Sequence, residues 1–178
     1  MLLDIVREFA GVIKAGKAPD MRLVSYGIQH QRSRKSFFIR VQVCVCFNNG
    51  TTHRSTVRRQ VTNPNASNPR RFTGAVDLFE QALRRILLMT YPDMDDFLKS
   101  MSVDGYFAHV VSGENVEHVE VCLKYIVANQ CVFVRMTGSD TLDVSCDAIF
   151  QLYHWALWRY LRQQRGAKRQ VQKFLGDV

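Results

Sequence analysis

The sequence predicts an α+β fold: two β-β-β-α units packed as one domain, antiparallel sheets with the helices on one face. Three observations predict it. "SFFIRVQVCVCF" (36–47) is rich in β-branched and aromatic residues and largely alternates. "GAVDLFEQALRRILLMTYPDM" (74–94) and "TLDVSCDAIFQLYHWALWRYL" (141–161) each carry apolar residues at helical spacing. Each of these helices follows β-rich sequence, with a period of about seventy residues. The expected organisation is an N-terminal helix over 1–18, a first unit over 19–92, a second over 93–165 and a basic tail over 166–178.

Each element has a local reason. Leu2, Leu3, Val6, Phe9, Ala10 and Ile13 fall on one helical face, and Gly16 and Pro19 stop that helix. "MRLVSYGIQHQ" reads as a strand. In 36–47, Phe38, Arg40, Gln42, Cys44 and Cys46 share one face and the other face is apolar. "NNGT" (48–51) is a hairpin turn, because Asn-Gly accepts positive φ at little cost, and "THRSTVRRQV" returns beside the strand before it. Two Asn-Pro pairs make 62–74 a loop. A helix is expected from about Ala75 to Met89, with Val76, Phe79, Ala82, Leu83, Ile86 and Leu87 on its buried face. The order then recurs: strands in "LKSMSVDGYFAHVV", "HVEVCLKYIV" and "CVFVRMTG", a short "GSDT" link, and a helix from about Leu142 to Arg165. One such unit has a thin core, so two packed together are the natural solution.

A chain of 178 residues with 47% hydrophobic and 22% charged residues buries a core without disulfide staples. Five cysteines, none in a C-x-x-C pair, read as free thiols of a reducing compartment, the mitochondrial matrix or cytoplasm, and not of a secreted protein. No run of eighteen apolar residues exists, so no membrane span is expected. Asp4 and Glu8 make the N-terminal segment a packed helix in preference to a targeting peptide.

The sequence carries no strong catalytic or metal constellation. The histidines are isolated. His118, Glu120 and Cys122 share a strand face, which a half-exposed sheet explains. Asp93, Asp95 and Asp96 follow Pro92, where aspartate is ordinary turn and cap chemistry. Cys146, near a helix start, has Asp147 beside it, which opposes thiolate formation. No phosphate-binding glycine loop or nucleophile elbow is present. The expectation is a protein that is not an enzyme and carries no cofactor or metal.

The order of elements, with "GAVDLFEQALRRIL" followed by "YPDMDDFLKSMSVDGY", resembles the C-terminal regulatory (LeuA dimerisation) domain of 2-isopropylmalate and citramalate synthases, over about residues 22–162. Gly74, Val76 and Asp77 match that family's first helix opening. Tyr91, Pro92 and Met101 to Tyr106 match the link between its units. Gly138, Ser139, Thr141, Asp143 and Val144 match its second helix opening. The resemblance implies dimerisation and a leucine-type ligand held near Gly74, Asp77, Gly138, Ser139, Thr141 and Asp143. Two departures stand against that ligand. The long loop 62–73 replaces a glycine-rich approach to the first helix, and "VSCDA" scrambles an Ala-Ser pair. The family's catalytic barrel is absent from this sequence.

The net charge of +8 is sorted along the chain. Arg54, Arg58, Arg59, Arg70 and Arg71 crowd 54–71 without an acid. Arg159, Arg162, Arg165, Lys168, Arg169 and Lys173 crowd 156–175, again without one. Arg162, Arg165, Arg169 and Lys173 share a helix face if the helix continues through Gly166. The arginine fork suits phosphate, so these two groups are the candidate RNA contacts. Trp155, Leu152 and Tyr160 are read as core residues packed on the sheet. Two functions are therefore expected from the sequence. The first is a basic, non-catalytic assembly module contacting RNA and neighbouring proteins of a ribonucleoprotein such as a mitochondrial ribosome or RNA-processing complex. The second is a stand-alone leucine-type regulatory domain, a homodimer or pseudo-dimer through its helix faces.

Overall fold

The structure, a computed structural model, describes residues 21–33, 36–61, 68–112, 117–127 and 130–176. The helix expected over 1–18 lies outside these residues. Two antiparallel three-stranded sheets alternate with two long helices. β1 (Met21–Ser33), β2 (Ser36–Phe47) and β3 (Thr52–Val61) form the first sheet, in that spatial order. α1 (Asn68–Thr90) follows, then a 3₁₀ turn (Pro92–Met94) and a short helix α2 (Asp95–Lys99). β4 (Ser102–Ser112), β5 (Glu117–Val127) and β6 (Gln130–Gly138) form the second sheet, and α3 (Thr141–Gly176) closes the chain. The α+β class and the doubled β-β-β-α order are thus those of the molecule.

Alternation decides which face of each sheet is buried. Ile39, Val41, Val43, Val45 and Phe47 are buried beneath α1. Val121, Leu123 and Tyr125 hold the same places in the second sheet, beneath α3. The first strand of each sheet also carries a register shift near its start, between Leu23 and Ser25 in β1 and between Val103 and Gly105 in β4. Such a bulge turns the strand and increases its twist. Gly50, with φ near +84°, closes the β2–β3 turn, where the Asn49 side chain accepts from the Thr51 amide at 2.9 Å.

Three boundaries differ from the sequence expectation. α1 begins at Asn68, not near Ala75, so much of the supposed loop is helical. The second Asn-Pro pair is a helix start: proline is tolerated in the first turn, where its missing N–H has no partner to lose. The segment after Pro92, read as a turn, contains α2, whose last carbonyls take the Ser100 amide. α3 runs to Gly176, through the segment assigned to a separate basic tail. One glycine costs about 1 kcal/mol against alanine, and the glutamines, alanine and basic residues around Gly166 are good helix formers.

The helix faces meet within the chain, since α1 packs on α3 as well as on its own sheet. One continuous core results, holding Phe79, Leu83 and Ile86 of α1 together with Ile149, Leu152 and Tyr153 of α3. Burying each such side chain contributes about 1.5–3 kcal/mol. A polar network crosses this seam. Arg84 Nε donates to the Tyr153 hydroxyl at 2.6 Å. Tyr153 donates to Glu80 at 2.6 Å, and Tyr125 donates to the other Glu80 oxygen at 3.1 Å. Arg84 also donates to the Leu98 carbonyl of α2 at 3.0 Å. The link between units is fixed by edge-on rings: Phe47 to Tyr91 at 5.9 Å, and Tyr160 to Tyr91 and Phe97 at 6.4 and 6.0 Å.

Gly138, the last residue of β6, has a packing requirement. A Cβ there would lie 2.5 Å from Val144 Cγ2, and Val144 is buried. Gly138→Ala should lose about 1–3 kcal/mol of stability, and adding Val144→Ala should recover part of it. Urea denaturation of both variants reads this; a single variant as stable as the parent refutes the contact.

Candidate nucleic-acid interface

α3 changes character along its length. Ile149, Leu152, Tyr153, Trp155, Ala156 and Leu157 are buried, and Tyr160 is the last buried side chain of α3 among the described residues. From Arg162 to Gln170 every residue is exposed. A helix that is polar all round has no core face to bury. Here it is the continuation of a helix held by the core, so the first turns of α3 are anchored and the turns from Arg162 to Gln170 project. Between Asp147 and Asp177 there is no acid. The projecting segment presents Arg162, Arg165, Lys168 and Arg169 to solvent. At its base, the Arg159 guanidinium lies 5.3 Å from the Trp155 ring and that of Arg162 lies 5.2 Å from the Trp158 ring. The ring of Trp155 is core, as expected from the sequence, and Trp158 is half-buried. Lys173 lies in α3 with its side chain outside the described residues.

The second basic group divides. Arg54 and Arg58 are exposed on the sheet face away from α1. Arg58 rests over Phe38 with its guanidinium carbon 3.7 Å from the ring centroid. Arg59 alternates to the helix side and pairs with Asp77 of α1 at 2.5 Å. It is therefore engaged internally and does not belong with Arg54 and Arg58. Arg70 and Arg71 lie in the first turn of α1, with side chains outside the described residues. Sequence reasoning grouped residues by nearness along the chain and so passed over Arg40, which pairs directly across from Arg58. The signal was available: counting back through the Asn48–Thr51 turn sets the hairpin register.

Of the residues matched to the amino-acid site, Gly74 and Asp77 lie well inside α1, which begins at Asn68, and Gly138, Ser139, Thr141 and Asp143 stand at the opening of α3. Asp77 of α1 accepts from Arg59 and also from Gln81 at 3.4 Å. Asp143 of α3 accepts from the Tyr26 hydroxyl of β1, and the Tyr26 ring stands edge-on to Phe79 at 5.3 Å. Tyr26 thus ties the first sheet to both helices, a contact with no local sequence signal because its partner is far along the chain. At the second opening, Asp140 accepts from the Leu142 amide at 2.8 Å, an Asx turn that starts α3. Ser139 is exposed, and the Thr141 carbonyl accepts from Ser145 at 2.6 Å. Gly74 leaves ordinary space, a Cβ there meeting Ile39 at 3.6 Å. Both matched carboxylates are already used to hold sheet to helix.

The other candidates have structural uses. Glu120 accepts from Arg135 at 2.5 Å and lies 3.7 Å from the Cys122 sulfur. Asp95 pairs with Lys99 at 2.5 Å within α2. Among the described residues no group of three or more His, Cys, Asp or Glu is placed to hold a metal, and no described helix is long and apolar enough to cross a membrane. Burial, followed by the charges of Asp143, Asp147 and Asp140, pushes the Cys146 thiol up to about 12. Such a thiol is a poor nucleophile near neutral pH. No protein-family model matches the chain, and no curated protein matches it either.

Burial also raises Tyr26, Tyr125 and Tyr153, aided by Asp143 for the first and Glu80 for the other two. These groups and Cys146 hold their protons longer folded than unfolded, so unfolding releases protons and base favours it. Stability should be intact below roughly pH 8.5, where an unfolded thiol begins to ionise, and fall as pH rises past about 10, where unfolded tyrosines follow. Denaturant midpoints measured from pH 7 to pH 11 test this; a flat profile contradicts it.

Proposed function

We propose that the chain is a non-catalytic basic module that assembles with RNA and neighbouring proteins in a ribonucleoprotein, with the projecting part of α3 as its RNA contact. The supporting observation is the run from Arg162 to Gln170, exposed throughout, with four cations and no acid. A mitochondrial ribosome or an RNA-processing complex is the kind of assembly this reading suits, in the mitochondrial matrix or the cytoplasm. In such a complex the two packed units are the anchor and α3 the reach. Phosphate contacts would position the protein without reading sequence.

Binding should weaken with salt, each phosphate contact contributing about 0.7 to the slope of log affinity against log salt for single strands. Four contacts from Arg162, Arg165, Lys168 and Arg169 would contribute roughly 3. Arg162→Gln, Arg165→Gln and Arg169→Gln together should remove about 2 from the slope, equally for unrelated RNA sequences, with the fold intact. Fluorescence anisotropy at several salt concentrations measures both. An unchanged slope in a folded triple variant removes the support for this reading.

A second reading, a leucine-type binding domain, is favoured by one observation: Asp77 of α1 and Asp143 of α3, both matched by the resemblance, each accept a hydrogen bond from a strand of the first sheet. A ligand ammonium would have to displace Arg59 from Asp77 or Tyr26 from Asp143. Calorimetric titration with leucine, isoleucine and valine should accordingly show no saturable heat. Micromolar binding abolished by Asp143→Asn would make the second reading the better one.

A further inference from the structure

The face of the first sheet turned away from α1 has an unusual charge. Register places its side chains in cross-strand rows: Gln31, Phe38 and Gln60; then Gln29, Arg40 and Arg58; then Gly27, Gln42 and Thr56; then Ser25, Cys44 and Arg54. Arg22 follows opposite Cys46. No aspartate or glutamate stands in any of these rows. Among the described residues, none of Arg22, Arg40, Arg54 and Arg58 has a carboxylate partner. Arg40 and Arg58 stand directly opposite each other, and like charges so placed destabilise a sheet.

The fold does not require this arrangement. In the second sheet, built to the same plan, the position equivalent to Arg40 is Glu120, and it neutralises Arg135 at 2.5 Å. One sheet therefore sets a carboxylate beside an outer arginine, and the other concentrates one sign. The concentrated face also carries Phe38, half-buried, with a guanidinium 3.7 Å from its ring centroid. An extended cationic surface combined with an aromatic ring and planar arginines is what holds a flexible polyanion with flat bases. Successive rows along a strand lie about 7 Å apart, so the surface offers several anchoring points to a single extended strand.

We propose that this outer face of the β1–β3 sheet is a second RNA-binding surface, one that takes a single strand through its phosphates at Arg40, Arg54 and Arg58 and through a base at Phe38. The proposal rests on the RNA reading given above but uses none of the residues of α3. Phosphate at Arg40 and Arg58 would relieve the repulsion between them, so binding and the stability of the sheet would favour each other.

Anisotropy with a single-stranded uridine oligonucleotide, over a range of salt, tests it on the full chain. Arg40→Gln, Arg54→Gln and Arg58→Gln together should lower the salt slope by about 2. The corresponding triple lysine variant should keep the slope, since each lysine still carries a charge. Phe38→Ala should weaken binding by roughly five- to a hundred-fold and leave the slope unchanged. Circular dichroism checks folding; if the triple glutamine variant does not fold, Arg54→Gln alone should lower the slope by about 0.7. An unchanged slope in these sheet variants, while the α3 variants lose theirs, overturns this surface and leaves the α3 contact standing. The opposite pattern supports the sheet and removes α3. A parent that binds anionic lipid vesicles but not the oligonucleotide overturns both.

Discussion

Everything in this fold depends on the seam where α1 meets α3. A three-stranded sheet with one helix has an apolar face larger than the helix covers. Here each half completes the other, with Phe79, Leu83 and Ile86 facing Ile149, Leu152 and Tyr153 in one shared core. The seam is not only apolar. Glu80 brings a carboxylate into it, and Tyr125 from β5 and Tyr153 from α3 both donate to that carboxylate. Arg84 completes the set by donating to Tyr153 and to the end of α2. A half-buried carboxylate is costly without partners; Arg84 of its own helix stands 3.5 Å away, and the two hydroxyls that donate to it come from the second unit. The network therefore specifies how the two halves sit together, where apolar packing alone would tolerate sliding.

The two sheets show what the repeated plan demands and what it leaves open. Buried positions agree in kind between them: Val41, Val43 and Val45 in one stand where Val121, Leu123 and Tyr125 stand in the other. Even the irregularity near the start of the first strand recurs. Outer positions do not agree, with Arg40 set against Glu120 and no acid in the cross-strand rows of the first sheet's outer face. Packing constrains the inner faces and is indifferent to the outer ones. The charge asymmetry thus carries information about what the surface meets, and the proposal for the outer face of the first sheet rests on that distinction.

Much of the fold was legible because periodicity is a local signal. Strand β2 matched its expected bounds because its inner face is uniformly apolar, and the turn at Asn48–Thr51 followed from Asn-Gly chemistry. Boundaries set by competing signals were less legible. Asn68-Pro69 looks the same whether it ends a loop or starts a helix, and Gly166 breaks a helix only where its neighbours are weak helix formers. The candidate site was legible in composition but not in direction. Arg54, Arg58 and Arg59 look alike in sequence, yet alternation sends Arg59 inward to Asp77. The tie from Tyr26 to Asp143 joins residues 117 positions apart, and nothing in either neighbourhood announces it.

α3 extends 36 residues, about 54 Å at 1.5 Å per residue, and its part up to Tyr160 is seated in the core while Arg162 to Gln170 are exposed. A rigid rod fixed at one end is a ruler and a protractor. It sets the distance from the body of the protein to the last basic turns, and it sets the compass bearing of Arg162, Arg165 and Arg169 about the rod's axis. Adding one residue between Tyr160 and Arg162 would lengthen the rod by only about 1.5 Å but would rotate that bearing by about 100°. Adding seven would lengthen it by about 10 Å and return the bearing to within about 20°. Reach and aim are therefore separable quantities in this molecule, and the spacing between core and cations encodes an orientation as much as a length.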